Sequence, residues 1–232
     1  MDYEERPYLG AVRIYLFSRD LLLGLLNALN RSRLGRHMIP YAIEKYDVYG
    51  WTFDDYWEDI GTIRSFYETN LMLTEDHPKF NFYDPKHPIY TLNKTMPTTK
   101  IENTEVKNAL IANGCMIKAN SIEHSIIGIR SMIDVGTTIK DSILMGVDDD
   151  VFEKSANDSK YFDIPLGIGK NCHIEQAIID KNARIGDNVI IKPFPPHIEL
   201  DDADPIKKYY VRDGIVIIPK NTSIKSGTVI TP

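Results

Sequence analysis

The stretch of this 232-residue sequence best equipped for chemistry is Asp54-Asp-Tyr-Trp-Glu-Asp-Ile-Gly-Thr-Ile63. It lies between an expected strand and an expected helix, and a carboxylate at the end of a sheet strand sits where α/β folds bind ligands. Asp59 can help hold a divalent cation between phosphates, because Mg²⁺ takes one or two carboxylates and draws other ligands from substrate oxygens. The N–H groups of Gly61 and Thr62 open a helix and there favour an anion. The plainer reading is that Asp-Ile-Gly-Thr only caps that helix.

The elements that must position this segment divide into two unlike halves. Residues 1–100 hold 12 Leu, 6 Ile and 17 of the 23 aromatic residues, whereas residues 101–232 hold 4 Leu, 25 Ile and 6 aromatics. Leucine favours helices, and β-branched isoleucine favours strands. The shift marks an architectural boundary in the proline-bearing segment 75–100 (Pro78, Pro85, Pro88, Pro97). Before it, Val12–Phe17 and Tyr46–Phe53 read as strands. Helices are expected after Ser18 or Asp20 with Leu22, Leu25, Leu26 and Leu29, over 38–45, and from about Gly61 to Leu73 with Ile63, Phe66, Tyr67 and Leu71 on one face. That is an α/β pattern with an incomplete sheet, since two strands leave uncovered edges and little core.

The second half carries a six-residue repeat. Ile127, Ile133 and Ile139 are six apart, as are Ile168 and Ile174, then Ile179, Ile185 and Ile191, then Ile218, Ile224 and Ile230. Glycine, asparagine or aspartate often follows the apolar residue. Such a repeat is the mark of a parallel β-helix, in which each hexapeptide supplies one short strand and one corner, and three make a coil. The spacing predicts roughly five coils, with interruptions at 147–163 and 193–211 extruded as loops. An antiparallel sandwich would instead show period-2 alternation and hairpin turns.

Composition excludes several classes. A net charge of −6 argues against a nucleic-acid binder. No apolar run reaches the roughly 18 residues that span a bilayer, and the acidic start MDYEERPYLG is no signal peptide. Cys115 and Cys172, 57 positions apart, form neither a CxxC pair nor a disulfide framework, which suits a reducing cytoplasm.

A β-helix hosts many functions, but specific runs narrow the choice. Asp55-Tyr-Trp-Glu-Asp-Ile-Gly-Thr-Ile-Arg-Ser-Phe-Tyr67 resembles the signature of glucose-1-phosphate adenylyltransferases, the ADP-glucose pyrophosphorylases. The similarity continues through Pro78-Lys-Phe-Asn-Phe-Tyr-Asp84, Pro88-Ile-Tyr90, His124-Ser-Ile-Ile-Gly-Ile-Arg-Ser131, Pro165-Leu-Gly-Ile-Gly169 and Ile179-Asp-Lys-Asn-Ala-Arg-Ile-Gly186. It covers nearly the whole chain. The resemblance implies a mainly β chain: a left-handed parallel β-helix over 101–232, a linker over 76–100, and the carboxy-terminal part of an α/β nucleotidyltransferase domain over 1–75. It implies conversion of ATP and glucose 1-phosphate to ADP-glucose and pyrophosphate, with Mg²⁺, in glycogen or starch synthesis. It assigns Asp59 to Mg²⁺ and the phosphates and sets Trp57 beside the nucleotide-sugar site. Arg130, Lys181 and Lys220 match basic residues that hold a phosphorylated effector or phosphate in the family. Homo- or hetero-oligomers are expected, with no nucleic-acid or membrane partner.

The chain also departs from the pattern. Where the family reads Ala-Ser-Met-Gly-Ile-Tyr-Val-Phe, this sequence reads Gly10-Ala-Val-Arg-Ile-Tyr-Leu-Phe17, so Ala11 replaces a sugar-binding serine and Arg13 a glycine. Arg33-Leu-Gly35 stands for Asp-Phe-Gly. No Gly-x-Gly-x-x-x-Arg phosphate-cradling stretch occurs in the 232 residues. These departures leave two readings open. One is the carboxy-terminal part of the enzyme, inactive alone. The other is a regulatory or scaffolding β-helix subunit that pairs with an intact catalytic one. A hexapeptide acyltransferase, which uses a catalytic histidine between coils and an acyl-CoA, is a third reading with His124 and His173 as the histidines within regular repeats, and it is set aside because His124 lies within a pyrophosphorylase-like run.

Overall fold

The structure, a computed structural model, describes residues 10–28, 33–91, 95–148, 151, 163–201 and 208–232. The chain separates into two compact units, residues 1–57 and 58–232.

In the first unit, helix α1 (Arg19–Ala28) and helix α2 (Ile39–Lys45), the latter entered through one π-helical turn at Leu34–Met38, bury Leu25, Met38 and Ala42 together. Phe17, Leu21, Leu22 and Tyr41 pack around them. The segments 12–17 and 46–53, expected as strands, form no ladder. A strand is stable only when its N–H and C=O groups are paired. With no partner among the described residues, Ile14, Leu16, Tyr49 and Trp51 stay largely exposed.

The second unit is a parallel β-helix, as the six-residue spacing predicts. Its strands register in three columns of inward residues. The first runs Ile101, Ile117, Ile133, Ile168, Ile185, Ile224. The second runs Val106, Ile122, Ile139, Ile174, Ile191, Ile230. The third runs Ile111, Ile127, Leu144, Ile179, Ile218. These make five complete coils and the first two strands of a sixth. From Ile117 upward the column residues are all buried, and they form one continuous core. The second interruption is not wholly loop: Tyr210–Arg212 pairs antiparallel with Ile215–Ile218 across the Asp213-Gly214 turn.

Turning a corner every few residues requires backbone in the left-handed region, which glycine, asparagine and aspartate tolerate best. One corner stacks Asn108, His124, Asp141 and Gln176, with φ between 43° and 50°. Another stacks Gly114, Arg130, Asn182 and Asn221, with φ between 56° and 77°. On that second corner Gly146 (φ 82°) has no room for a side chain, since a Cβ there would stand 2.2 Å from the Ile129 carbonyl oxygen.

The third face is apolar on both sides. Its strands carry isoleucine-rich doublets, so Ile126, Ile143, Ile178 and Ile217 form an outward row in register beside the inward one. Helix α3 (Ile63–Met72) covers that row with Phe66, Tyr67 and Leu71. Tyr67 donates its hydroxyl to the Asp141 carbonyl at 2.5 Å, and Arg64 donates to the Asp213 carbonyl at 3.0 Å. Burial is the main reason the Tyr67 phenol is pushed far above its ordinary pKa.

Ile174→Ala is expected to lower stability by about 2–5 kcal/mol, because it opens a cavity between Ile139 and Ile191. Val229→Ala, at a residue 60% exposed, is expected to change it by less than about 0.5 kcal/mol. Urea unfolding midpoints of the two variants check both.

Candidate functional site

Asp59 lies in the loop just before α3 and is exposed. Its Oδ1 accepts the Gly61 N–H at 3.0 Å, turning the carboxylate back onto its own chain. Thr62 caps the helix: its Oγ1 accepts from the Ser65 N–H at 3.1 Å, and its own N–H donates to Ser65 Oγ at 3.2 Å. The two N–H groups suited to an anion are thus already engaged by side chains, and the local structure is a capping box of the kind that Ser/Thr residues build. Trp57 is the last residue of the first unit and is 44% exposed. It and Asp59 belong to different units.

The basic residues are arranged differently. Lys181 and Lys220 occupy equivalent positions on successive coils, because Asn221 N–H donates to the Lys181 carbonyl just as Asn182 N–H donates to the Gly146 carbonyl one coil earlier. Stacking brings both ammonium groups onto one carboxylate. Lys181 Nζ lies 3.0 Å from Asp148 Oδ1, and Lys220 Nζ lies 2.7 Å from Asp148 Oδ2. Asn182 completes the arrangement. Its Oδ1 accepts the Asp148 N–H at 2.9 Å, and its Nδ2 donates to Asp148 Oδ2 at 3.2 Å and to Asn221 Oδ1 at 3.0 Å. Hydrogen bonds from Lys220, then Lys181, hold the Asp148 carboxyl far below the usual carboxylate range.

Arg130 stands on the same corner, two coils before Lys181, in left-handed backbone (φ 56°). Its stem lies across Gly114, whose Cβ, if present, would sit 3.4 Å from Arg130 Cγ. The cationic residues thus share one edge of the prism, with Lys181 and Lys220 joined through Asp148. Asp148 was not among the residues singled out from sequence. The one hint is an acidic run placed directly after the Ile143-Leu144 strand, one coil before Lys181.

The histidines sit elsewhere. His124 turns the opposite corner, with Nδ1 2.6 Å from Asp141 Oδ1, and His173 lies on a strand with Nδ1 2.8 Å from Thr138 Oγ1. Both cysteines are free and buried, and burial pushes their thiols up, away from reactivity. At Arg13, where the resembling family carries glycine, the backbone is left-handed (φ 60°) and the residue is exposed. Among the described residues no group of three or more His, Cys, Asp or Glu side chains is disposed to hold a metal ion, and no helix is long and apolar enough to cross a membrane.

The coils define the class of the second unit: a hexapeptide parallel β-helix domain. Residues 94–229 match the family described as the GLGC left-handed parallel beta-helix domain, and residues 4–76 match nucleotidyl transferase. Glucose-1-phosphate adenylyltransferase large subunit 1, chloroplastic/amyloplastic, of Zea mays is 42% identical over 234 aligned positions, which cover 99% of this chain and 45% of that protein. The chain belongs to the glucose-1-phosphate adenylyltransferase family, and it spans just under half the length of this relative.

A carboxyl whose pKa is lower folded than unfolded stabilises the fold above its unfolded value and loses that contribution as pH falls. Wild type is therefore expected to be more stable than Asp148→Asn near neutrality. The advantage should shrink below about pH 4, where unfolded aspartate begins to protonate. Urea midpoints of the two proteins from pH 7 down to pH 3 check the sign.

Proposed function

We propose that this chain serves adenylyl transfer from ATP to glucose 1-phosphate, giving ADP-glucose and pyrophosphate for glycogen or starch synthesis, as one subunit of a homo- or hetero-oligomer. The observation that carries the reading is the 42% identity that runs through both the nucleotidyl-transferase segment and the β-helix. Residues 1–75 are assigned to the transferase domain, 76–100 to a linker and 101–232 to the β-helix domain. Asp59 is assigned to Mg²⁺ and the substrate phosphates. A single exposed carboxylate fits that ion as one ligand, with substrate oxygens and water as the others. Mg²⁺ there would neutralise phosphate charge, and Asp59 would hold it at the mouth of α3. Trp57 is assigned to nucleotide-sugar binding.

Arg130, Lys181 and Lys220 are assigned to a phosphorylated effector or inorganic phosphate. Their shared edge supports this, because stacked cations on a rigid corner suit a multiply charged anion. The two buried free thiols support a reducing compartment, which we take to be the cytoplasm, while the name of the maize relative points to a plastid. Cell fractionation separates the two.

A second reading, a regulatory or scaffolding subunit, is favoured by Ala11, which cannot hydrogen-bond through its side chain where the family serine does. Arg13 adds bulk beside it. The maize relative is itself named a large subunit.

The purified 232-residue chain is expected to form no ADP-glucose from ATP, glucose 1-phosphate and Mg²⁺, because phosphoryl chemistry needs several groups acting together and no Gly-x-Gly-x-x-x-Arg stretch is present. Turnover above background overturns that expectation. Co-expressed with an intact catalytic subunit, the chain is expected to co-purify and to alter the phosphate sensitivity of ADP-glucose synthesis. Lys181→Ala with Lys220→Ala is expected to abolish that alteration. A partner whose kinetics are the same with and without the chain overturns the effector assignment.

A further inference from the structure

We propose that Asp148 is a built-in competing anion that sets the affinity of the Lys181–Lys220 site: a phosphate or phosphate monoester binds by displacing the Asp148 carboxylate from the two ammonium groups. This rests on the anion-site reading of those lysines.

The geometry supports displacement. The two lysines come from different coils, and one carboxylate bridges them, with an oxygen on each nitrogen. Asp148 belongs to neither coil's corner. It follows Val147, whose N–H donates to the Ile129 carbonyl. Among the described residues its ties to the corner are its backbone N–H, held by Asn182, and its carboxylate, held by Asn182 and the two lysines. The anchors and the plug are therefore separable: the lysines are fixed by coil stacking, while the carboxylate stands one residue past Val147, whose N–H is paired to the coil before. The bridge is 25% exposed at Asp148, 38% at Lys181 and 49% at Lys220, so an incoming anion can reach it.

Charge decides what can compete. Among the described residues of the bridge, two ammonium groups meet one carboxylate, and a monoanion gains little by exchanging with a resident carboxylate that is already positioned. A phosphate near neutral pH carries up to two charges and three acceptor oxygens. It can occupy both lysines and also replace the contact Asn182 Nδ2 makes with Asp148. The expelled carboxylate returns to water at the surface, where a lone charge costs little. Asp148 thus acts as a threshold. It occupies the pair against chloride and simple carboxylates and yields to a phosphate dianion. The far-lowered pKa of Asp148 keeps this plug ionised at any physiological pH.

The experiment is titration of inorganic phosphate into the 232-residue chain at low ionic strength by isothermal calorimetry. Wild type, Asp148→Asn and Asp148→Ala are compared with the Lys181→Ala/Lys220→Ala pair in each of these three backgrounds, with circular dichroism melting curves certifying each fold. The expected result is phosphate binding roughly tenfold tighter in Asp148→Asn and in Asp148→Ala, lost in both backgrounds when the lysines are removed. Asp148→Asn keeps an acceptor for Asn182, so it remains informative if the alanine variant melts early. Lysine-dependent phosphate binding that is equal or weaker without the carboxylate overturns the Asp148 proposal and leaves the anion site standing. Absence of lysine-dependent binding in every background overturns both.

Discussion

Everything in the second unit depends on one constraint: each coil must return to the same three corners so that its strands register on the coil before. The inward isoleucines satisfy it by stacking on their equivalents, and the left-handed corner residues satisfy it by turning the chain without lengthening it. Once the register is fixed, residues far apart in sequence become neighbours on the same edge. Lys181 and Lys220 meet because they hold the same place in successive coils. His124 and Asp141 meet for the same reason on another corner, 2.6 Å apart. The β-helix is thus a device for converting sequence position modulo one coil into spatial alignment, and the basic edge is its chemical product.

Much of this was legible in the residues. The spacing of isoleucine at six was enough for the coils, since inward side chains bury completely and tolerate little substitution. The corner asparagines and glycines between them were legible for the same reason. Two features were not. Asp148 pairs with residues 33 and 72 positions later, a relation visible only once the coil containing the 147–163 interruption is counted correctly. The strands at 12–17 and 46–53 were read from their apolar content, but a strand's stability lies in its partners, and none is found for them among the described residues. The capping box at Thr62 is a milder case. Asp-Ile-Gly-Thr was legible as a helix start, yet the donation of Gly61 N–H to Asp59 follows from loop geometry that residue type alone does not specify.

The doublets Ile126-Ile127, Ile143-Leu144, Ile178-Ile179 and Ile217-Ile218 explain why α3 lies where it does. A β-helix face normally needs one apolar residue per strand, pointing in. A second, pointing out, produces an apolar stripe that water penalises. Helix α3 covers it, and Tyr67 and Arg64 tie the helix to the Asp141 and Asp213 carbonyls, both at the end of the face where its strands begin.

Helix α3 falls within residues 4–76, which match the nucleotidyl transferase, yet it packs on the β-helix. The seam that evolution would cut along and the seam along which the polypeptide holds together are therefore different seams. Asp59 stands four residues ahead of a helix bolted to the prism. A loop mounted this way takes its footing from the β-helix, so the place of that carboxylate follows from the register of the coils on which α3 rests.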